Sequence, residues 1–326
     1  MKNDNEKTTP IKEDIVLECR NINHWFGKKR VLHNIDLKII RGEILSLVGS
    51  SGCGKSTLLR AIVGTHPPCS GQVLLKHRHG DQAHVVNKPG RDRGIVYQQY
   101  TLFPFLTARE NVAVGLMLDQ TSIPFRLFNF FTWRAMKKKH LVEADEMLTT
   151  LKLGNALNLY PHEMSGGMRQ RVAIAQALIM KPAILLLDEP FGALDEATRE
   201  ELQKMLLTLY AENTEARKKN QPPPYTILIV THELNEAIYV GDRVVALSQH
   251  WDHSDTGLSY HPGATVVYDR MAPVFLPDQE ANFDDFRDKR ALLRAVAFEG
   301  VHIKDRNEHV KFWDEFNAKE GWAKNL

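Results

Sequence analysis

The run Gly49-Ser50-Ser51-Gly52-Cys53-Gly54-Lys55-Ser56-Thr57 fits the pattern Gly-x-x-x-x-Gly-Lys-Ser, and it lies between the apolar stretch Ile44–Val48 and a helical pattern over residues 58–63. Its glycines let the backbone curl until successive N–H groups point inward. The following helix adds the positive end of its dipole at the same place. A loop built this way is a cradle for phosphate oxygens, with Lys55 placed to reach the outer phosphates and the Ser56 hydroxyl open to a divalent cation. Gly49, Ser50, Gly52, Cys53, Gly54, Lys55, Ser56 and Thr57 are therefore the candidate triphosphate-binding residues.

A chain of 326 residues holds one large domain with an appendage, or two domains. The net charge of +2 leaves no broad basic field, which argues against nucleic acid as the main partner. Cys19, Cys53 and Cys69 show no paired ligand spacing, and one of them lies inside the phosphate loop. A reducing compartment, the cytoplasm, fits this better than a disulfide framework. Residues 1–10 are polar, without the apolar centre of a signal peptide, and no stretch approaches the roughly 18 apolar residues of a membrane span, so the chain reads as soluble.

Residues 1–14 read as a polar tail, followed by strands at 15–19 and 31–40 around a turn at Phe26-Gly27-Lys28-Lys29, which predicts an antiparallel β piece. Apolar runs at 94–97, 184–187, 227–230 and 244–247 have the length of buried strands and are separated by helical patterns. That alternation predicts an α/β fold with a mostly parallel core sheet and ligand chemistry at the carboxyl ends of its strands. Residues from about 100 to 180 read as an inserted helical subdomain. The stretch 213–224, with Arg217-Lys218-Lys219 and three consecutive prolines, reads as a solvated connection. Residues 249–262 also read as a solvated loop, although His250, Asp252, His253, Asp255 and His261 leave a metal reading open.

Ile184-Leu185-Leu186-Leu187-Asp188-Glu189-Pro190 is an apolar strand ending in two carboxylates. Asp188 suits a Mg²⁺ ion held through water, and Glu189 suits a general base that polarises an attacking water. Between this strand and the phosphate loop lies Met164-Ser165-Gly166-Gly167-Met168-Arg169-Gln170-Arg171, a second anion site at a helix start. One nucleotide already has its phosphates filled by the first loop, so the second site is expected to complete the pocket of another chain.

These motifs together resemble the ATP-binding cassette family, the nucleotide-binding subunits of ABC transporters, over residues 15–248. Met164 to Gln170 is similar to the family signature, in the Ser-Gly-Gly-Met form of nitrate, taurine and aliphatic sulfonate importers. The resemblance implies that Ser165, Gly166, Gly167 and Gln170 act in trans on a partner's nucleotide. It implies further that Gln98, with Gln99 an adjacent alternative, is the glutamine that touches Mg²⁺ and the attacking water, that Asp195 belongs to the D-loop, and that His232 is the switch histidine. Phe26 takes the adenine-stacking position, with Trp25 as the fallback.

The cofactors so implied are ATP and Mg²⁺, and the function is ATP hydrolysis by a homodimer. That dimer docks under a separate permease on the cytoplasmic face of the inner membrane, served indirectly by a soluble solute-binding protein. The competing reading is a soluble ABC ATPase acting on RNA or DNA, although no paired cassette or long coiled-coil insert is visible. Residues 119–140 depart from the family: Phe125, Phe128, Phe130, Phe131 and Trp133 interleave with Arg126, Arg134 and Lys137-Lys138-Lys139. Interfacial anchor, local core and permease contact all remain open for this stretch. Residues 249–326 read as a partly helical extension, with a strand at 266–268 and two amphipathic helices through Phe283, Phe286, Leu293 and Val296, then Val310, Trp313 and Phe316.

Overall fold

Strands β1 (Ile15–Phe26) and β2 (Lys29–Ile40) pair antiparallel around a tight turn at which Gly27 adopts φ +58°, a left-handed value that glycine takes without strain. The computed structural model describes residues 14–99, 102–192, 194–252, 262–273, 275, 277, 287–299 and 307–318. Strand β3 (Ile44–Val48) follows at once and leads into α1 (Lys55–Val63). Next come β4 (Ser70–Leu75) and the short β5 (His84–Val85), which complete a four-stranded antiparallel sheet in the order β2-β1-β4-β5. Neither carries a sequence signal. The first three residues of β4 are exposed and polar, so only Val73 and Leu75 supply its apolar face.

The larger sheet has six strands. Strand β6 (Arg93–Val96) lies at one edge, followed by β7 (Ile184–Asp188), β8 (Ile227–Val230), β3 and β9 (Arg243–Ser248), all parallel, and β10 (Thr265–Met271) joins β9 antiparallel at the other edge. The central strands are apolar at nearly every position because both faces are covered. Leu185, Leu187, Ile227 and Ile229 face the helical layer, while Ile184, Leu186, Leu228 and Val230 face α1 and the antiparallel sheet. Each fully buried aliphatic side chain of this kind contributes roughly 1.5–3 kcal/mol.

The helical layer consists of α2 (Ala108–Gln120), α3 (Ile123–Phe128), α4 (Phe130–Thr150) and α5 (Gly166–Leu178), between β6 and β7 in the chain. Val112 and Leu116 of α2 pack with Ala144 and Leu148 of α4 and with Val172 and Ile174 of α5. Helix α6 (Glu196–Lys218) lies against the same cluster, and α7 (Leu234–Val240) packs next to β3 and β9.

Helix α6 corrects the reading of residues 213–224 as a solvated connection, since it continues to Lys218. Asn213 is fully buried: its Nδ2 donates to the Gly42 carbonyl at 3.0 Å and to Tyr225 O at 2.6 Å, and its Oδ1 accepts from Tyr225 N at 2.9 Å. Arg217 Nη2 donates to the same Gly42 carbonyl at 2.7 Å. Polar composition marked this stretch as surface, whereas its polar groups are spent on fastening the turn that enters β3.

The extension after residue 248 packs on its own chain. Helix α8 (Arg287–Ala297) buries Leu293 and Val296 beside Trp251 and Tyr268, and α9 (Phe312–Ala318) buries Phe312 and Phe316 against Ile40 and Met271. Phe283, Phe286, His253, Asp255 and His261 lie outside the described residues. Arg243, fully buried at the start of β9, joins the extension to the sheet. Its Nε and Nη2 each meet an Asp269 oxygen at 2.7 Å, Nη1 donates to Lys38 O at 2.8 Å, and the guanidinium lies 3.7 Å from the Phe312 ring centre. Glu43 Oε1 is 3.3 Å from Nη1, and burial pushes the Glu43 carboxyl up to about 8 despite that neighbour. Arg243→Met leaves the buried Asp269 carboxylate without its cation and is expected to cost about 3–5 kcal/mol, read as a lowered denaturant midpoint.

Candidate nucleotide-binding and hydrolysis site

Strands β3, β8, β7 and β6 are parallel neighbours, so their carboxyl ends share one edge of the sheet. The phosphate loop leaves β3 at that edge. Gly54 caps α1 with φ +104° and no side-chain hydrogen bond, so the first N–H groups of the helix gain no side-chain acceptor from the cap. A Cβ at Gly54 would lie 2.8 Å from Leu32 Cδ2, and one at Gly49 would overlap the Leu247 carbonyl. Gly52 also has positive φ, at +75°, in open space. Lys55 is buried and folds back over the loop, its Nζ donating to Gly49 O at 2.6 Å and Ser50 O at 3.0 Å. Ser56 is exposed, Thr57 is half-buried, and Cys53 is buried with its Sγ toward Gly49.

Asp188 ends β7 and Glu189 follows it. Burial, then the adjacent Glu189 carboxylate, push Asp188 above the usual range, while Lys55 and Arg60 pull it back. Glu189 adopts φ +49°, which costs a branched or long side chain on the order of 1–2 kcal/mol. The cost is met by a backbone bond from Glu189 N to Val230 O at 2.8 Å, and it turns the carboxylate toward His232, whose Nδ1 lies 3.3 Å from Oε1. His232 is half-exposed after β8, and its Nε2 lies 3.7 Å from Glu233 Oε1. Beside it Thr231 donates its hydroxyl hydrogen bond to Glu236 at 3.1 Å and accepts from Glu233 N at 3.1 Å, which fixes the turn carrying the imidazole.

The amide of Gln98 converges on the same spot: a Cβ placed on Gly192 would meet Gln98 Nε2 at 3.8 Å and Glu189 Oε2 at 3.9 Å. Phe26 is 51% exposed at the end of β1 and meets His24 edge-on, while the Trp25 ring is covered by the Arg30 guanidinium at 4.9 Å. Of the two rings, Phe26 is the one with an open face. Ser56, Asp188 and Gln98 offer hard oxygen donors of the kind Mg²⁺ prefers, and the raised Asp188 is a carboxylate whose ionised form a cation would favour. Among the described residues no three His, Cys, Asp or Glu side chains gather into a metal cage.

Ser165 stands exposed at the N-terminus of α5, where its Oγ accepts from Met168 N at 3.2 Å. Gly166 is half-buried, and Gly167 is buried against Thr198 at the start of α6. Gln170 is corrected by the structure: grouped with the signature in the sequence, it is buried one turn further along, where its Nε2 donates to the Pro190 carbonyl. It braces the turn after Glu189 and presents no surface to a partner. The helical period explains the difference, since residue 170 lies on the inner face when residues 165 and 166 open to solvent. Asp195 caps α6, accepting from Thr198 N at 2.9 Å and Thr198 Oγ1 at 3.0 Å, and these bonds hold its carboxyl below the usual range.

One organising residue escaped the sequence reading. Asn111 of α2 is fully buried and pins the loop before it, accepting from Phe103 N at 2.8 Å and donating to the carbonyls of Phe103, Leu106 and Thr107 at 2.9–3.1 Å. That loop presents Phe103 and Phe105, the latter 71% exposed, a few residues downstream of Gln98. A polar residue in the middle of a helix gives no signal of this from sequence.

Strand, phosphate loop and helix within a parallel sheet define a P-loop α/β protein. The family profile described as ABC transporter matches residues 32–192. The aliphatic sulfonates import ATP-binding protein SsuB of Bacillus subtilis (strain 168) is 40% identical over 220 residues, covering 68% of this chain and 73% of that one. The sulfate/thiosulfate import ATP-binding protein CysA of Pectobacterium atrosepticum is 40% identical over 233 residues, covering 72% of this chain, and the match spans 64% of that relative's length. Among solved structures, the dimeric post-hydrolysis state of the ATP-binding cassette MJ0796 bound to ADP and Pi superposes with a TM-score of 0.57 at 28% identity, covering 79% of this chain and all of that one. The chain belongs to the ABC transporter family.

The contact between Gly167 and Thr198 generates a test. Gly167→Ala drives a methyl group into the Thr198 methyl and is expected to lower thermal stability by several degrees; adding Thr198→Ser, which keeps the hydroxyl bonded to Asp195, is expected to restore most of the loss in a melting experiment.

Proposed function

We propose that this chain is the ATP-hydrolysing subunit of an ABC importer for a small anionic solute such as a sulfonate, nitrate or sulfate-like oxyanion. The observation that carries the reading is the pairing of Glu189 with His232 at the edge where Lys55 and Asp188 also end. Lys55, freed from the loop carbonyls, would take the β and γ phosphates together with the N–H groups of residues 49–57, and Phe26 would stack on adenine. Glu189 would take a proton from the attacking water, with His232 and Gln98 holding that carboxylate and the water in place. Ser56, Asp188 and Gln98 would hold Mg²⁺, which when bound neutralises phosphate charge.

The exposed Ser165 to Gly167 turn would close over the nucleotide of a second copy, so that ATP joins two chains and hydrolysis parts them. Asp195 caps α6 through Thr198, the residue that packs on Gly167 of that turn. Phe103 and Phe105 would receive a separate permease on the cytoplasmic face of the membrane, with a solute-binding protein delivering the anion. Relatives named as import subunits favour this over the reading as an RNA- or DNA-acting ATPase.

Glu189→Gln is expected to cut hydrolysis by roughly 100-fold or more and to elute as an ATP-bound dimer in gel filtration. Brisk turnover by this variant would remove Glu189 from its role. Lys55→Ala and Ser165→Glu are each expected to be inactive, but a mixture of the two is expected to regain hydrolysis, because the heterodimer rebuilds one intact pocket from two chains. A mixture as inactive as its components would refute the trans arrangement.

A further inference from the structure

The chain breaks helix at Asn129 (φ −119°, ψ +48°), which ends α3 and begins α4. Its N–H donates to Phe125 O at 2.9 Å and its carbonyl accepts from Trp133 N at 2.9 Å, so the corner is tied on both sides. Arg126 fastens it to the end of α2, donating from Nε to Thr121 Oγ1 at 2.8 Å and from Nη2 to Met117 O at 2.9 Å. What this braced corner presents to water is apolar: Phe128 is 85% exposed, Phe131 87% and Phe130 50%. The Phe130 ring centre lies 5.9 Å from that of Phe131 and 5.8 Å from that of Trp133, so these rings form a contiguous patch. Local core, one of the readings the sequence left open, does not describe these rings.

The segment that carries the patch is charged with one sign. No Asp or Glu occurs between Asp119 and Glu143, while Arg134 and Lys137-Lys138-Lys139 follow the rings directly. Lys137 lies 5.9 Å from the Trp133 ring centre, Lys139 stands 3.9 Å from Glu143, and Arg134 and Lys138 have no acidic partner within ion-pair distance among the described residues.

We propose that the α3–α4 corner is a membrane-surface contact, seating Phe128, Phe130 and Phe131 at the boundary between headgroups and acyl chains and Arg134, Lys137 and Lys138 against anionic lipid phosphate. Nearly bare phenylalanine rings gain nothing from the fold and gain burial only from a partner. Lysine is depleted in protein interfaces relative to the rest of the surface, whereas aromatic rings beside unopposed cations are what an anionic bilayer surface rewards. The patch is also separate from the Phe103–Phe105 loop. The two lie at opposite ends of α2, a helix of 13 residues and therefore about 20 Å long. A permease on one and lipid on the other would grip this subunit at two points.

The test uses the purified full-length chain without permease, sedimented with vesicles of phosphatidylcholine alone or mixed with phosphatidylglycerol. The chain is expected to bind the anionic vesicles, bind the neutral ones more weakly, and lose much of the difference when salt rises from about 0.1 to 0.5 M. Phe128→Ser with Phe131→Ser is expected to reduce binding on the order of tenfold. Lys137→Gln with Lys138→Gln is expected to erase the preference for anionic vesicles. Phe128, Phe131 and Lys138 are exposed and Lys137 is half-buried, and ATP hydrolysis measured on the same samples reports intact protein independently of lipid binding. Absence of vesicle binding, or equal binding by the phenylalanine variant, overturns the proposal. So does a phenylalanine variant that loses only co-isolation with the permease in detergent, which would assign the corner to protein contact.

Discussion

In-register parallel pairing of β3, β8 and β7 is the constraint on which the site depends. Leu47 lies opposite Val230 and Val230 opposite Asp188, so three turns separated by some 180 residues of chain begin at the same level of one sheet. The apolar faces enforce that level, because a slip of one residue would exchange the set facing the helices with the set facing α1. Catalytic geometry is thus set by aliphatic packing that never touches a ligand.

The turns themselves carry the strain that the strands do not. Gly54 and Gly49 occupy conformations where a side chain would collide with Leu32 or with the Leu247 backbone, and Glu189 holds a left-handed backbone despite its long side chain. The loop is held from within by Lys55 on its own carbonyls, whereas Glu189 is supported from outside its turn by Val230, and Pro190 by the buried Gln170. Support of this kind keeps polar groups poised at the edge without burying them unsatisfied.

How much of this was legible in the sequence follows from where the information resides. The runs 184–187 and 227–230 announce buried strands because both of their faces are apolar; Asp188 and Glu189 are legible as candidates because they sit where such a run stops, Lys55 through its glycine-rich pattern, and His232 through the family resemblance. Strand β4 was silent because half of it faces solvent with Ser70, Gly71 and Gln72. The end of α6 was misjudged because Asn213 and Arg217 look like surface until Gly42 and Tyr225, far away in sequence, are seen to use their hydrogen bonds. Gln170 and Asn111 fail for the same reason: a buried amide is recognised by its partners, and partners are a property of the folded chain.

Arg243 marks off one border of the sheet from the other. It stands level with Leu45, at the start of the parallel strands, and there it rivets β9, β10, the turn before β3 and the last described helix into one rim. The phosphate loop leaves from the other rim, where the charged pair Glu189 and His232 is part-exposed and not buried as Arg243 and Glu43 are. Buried charge thus fastens the border away from the nucleotide, and the border that meets the nucleotide is left with groups still open to water.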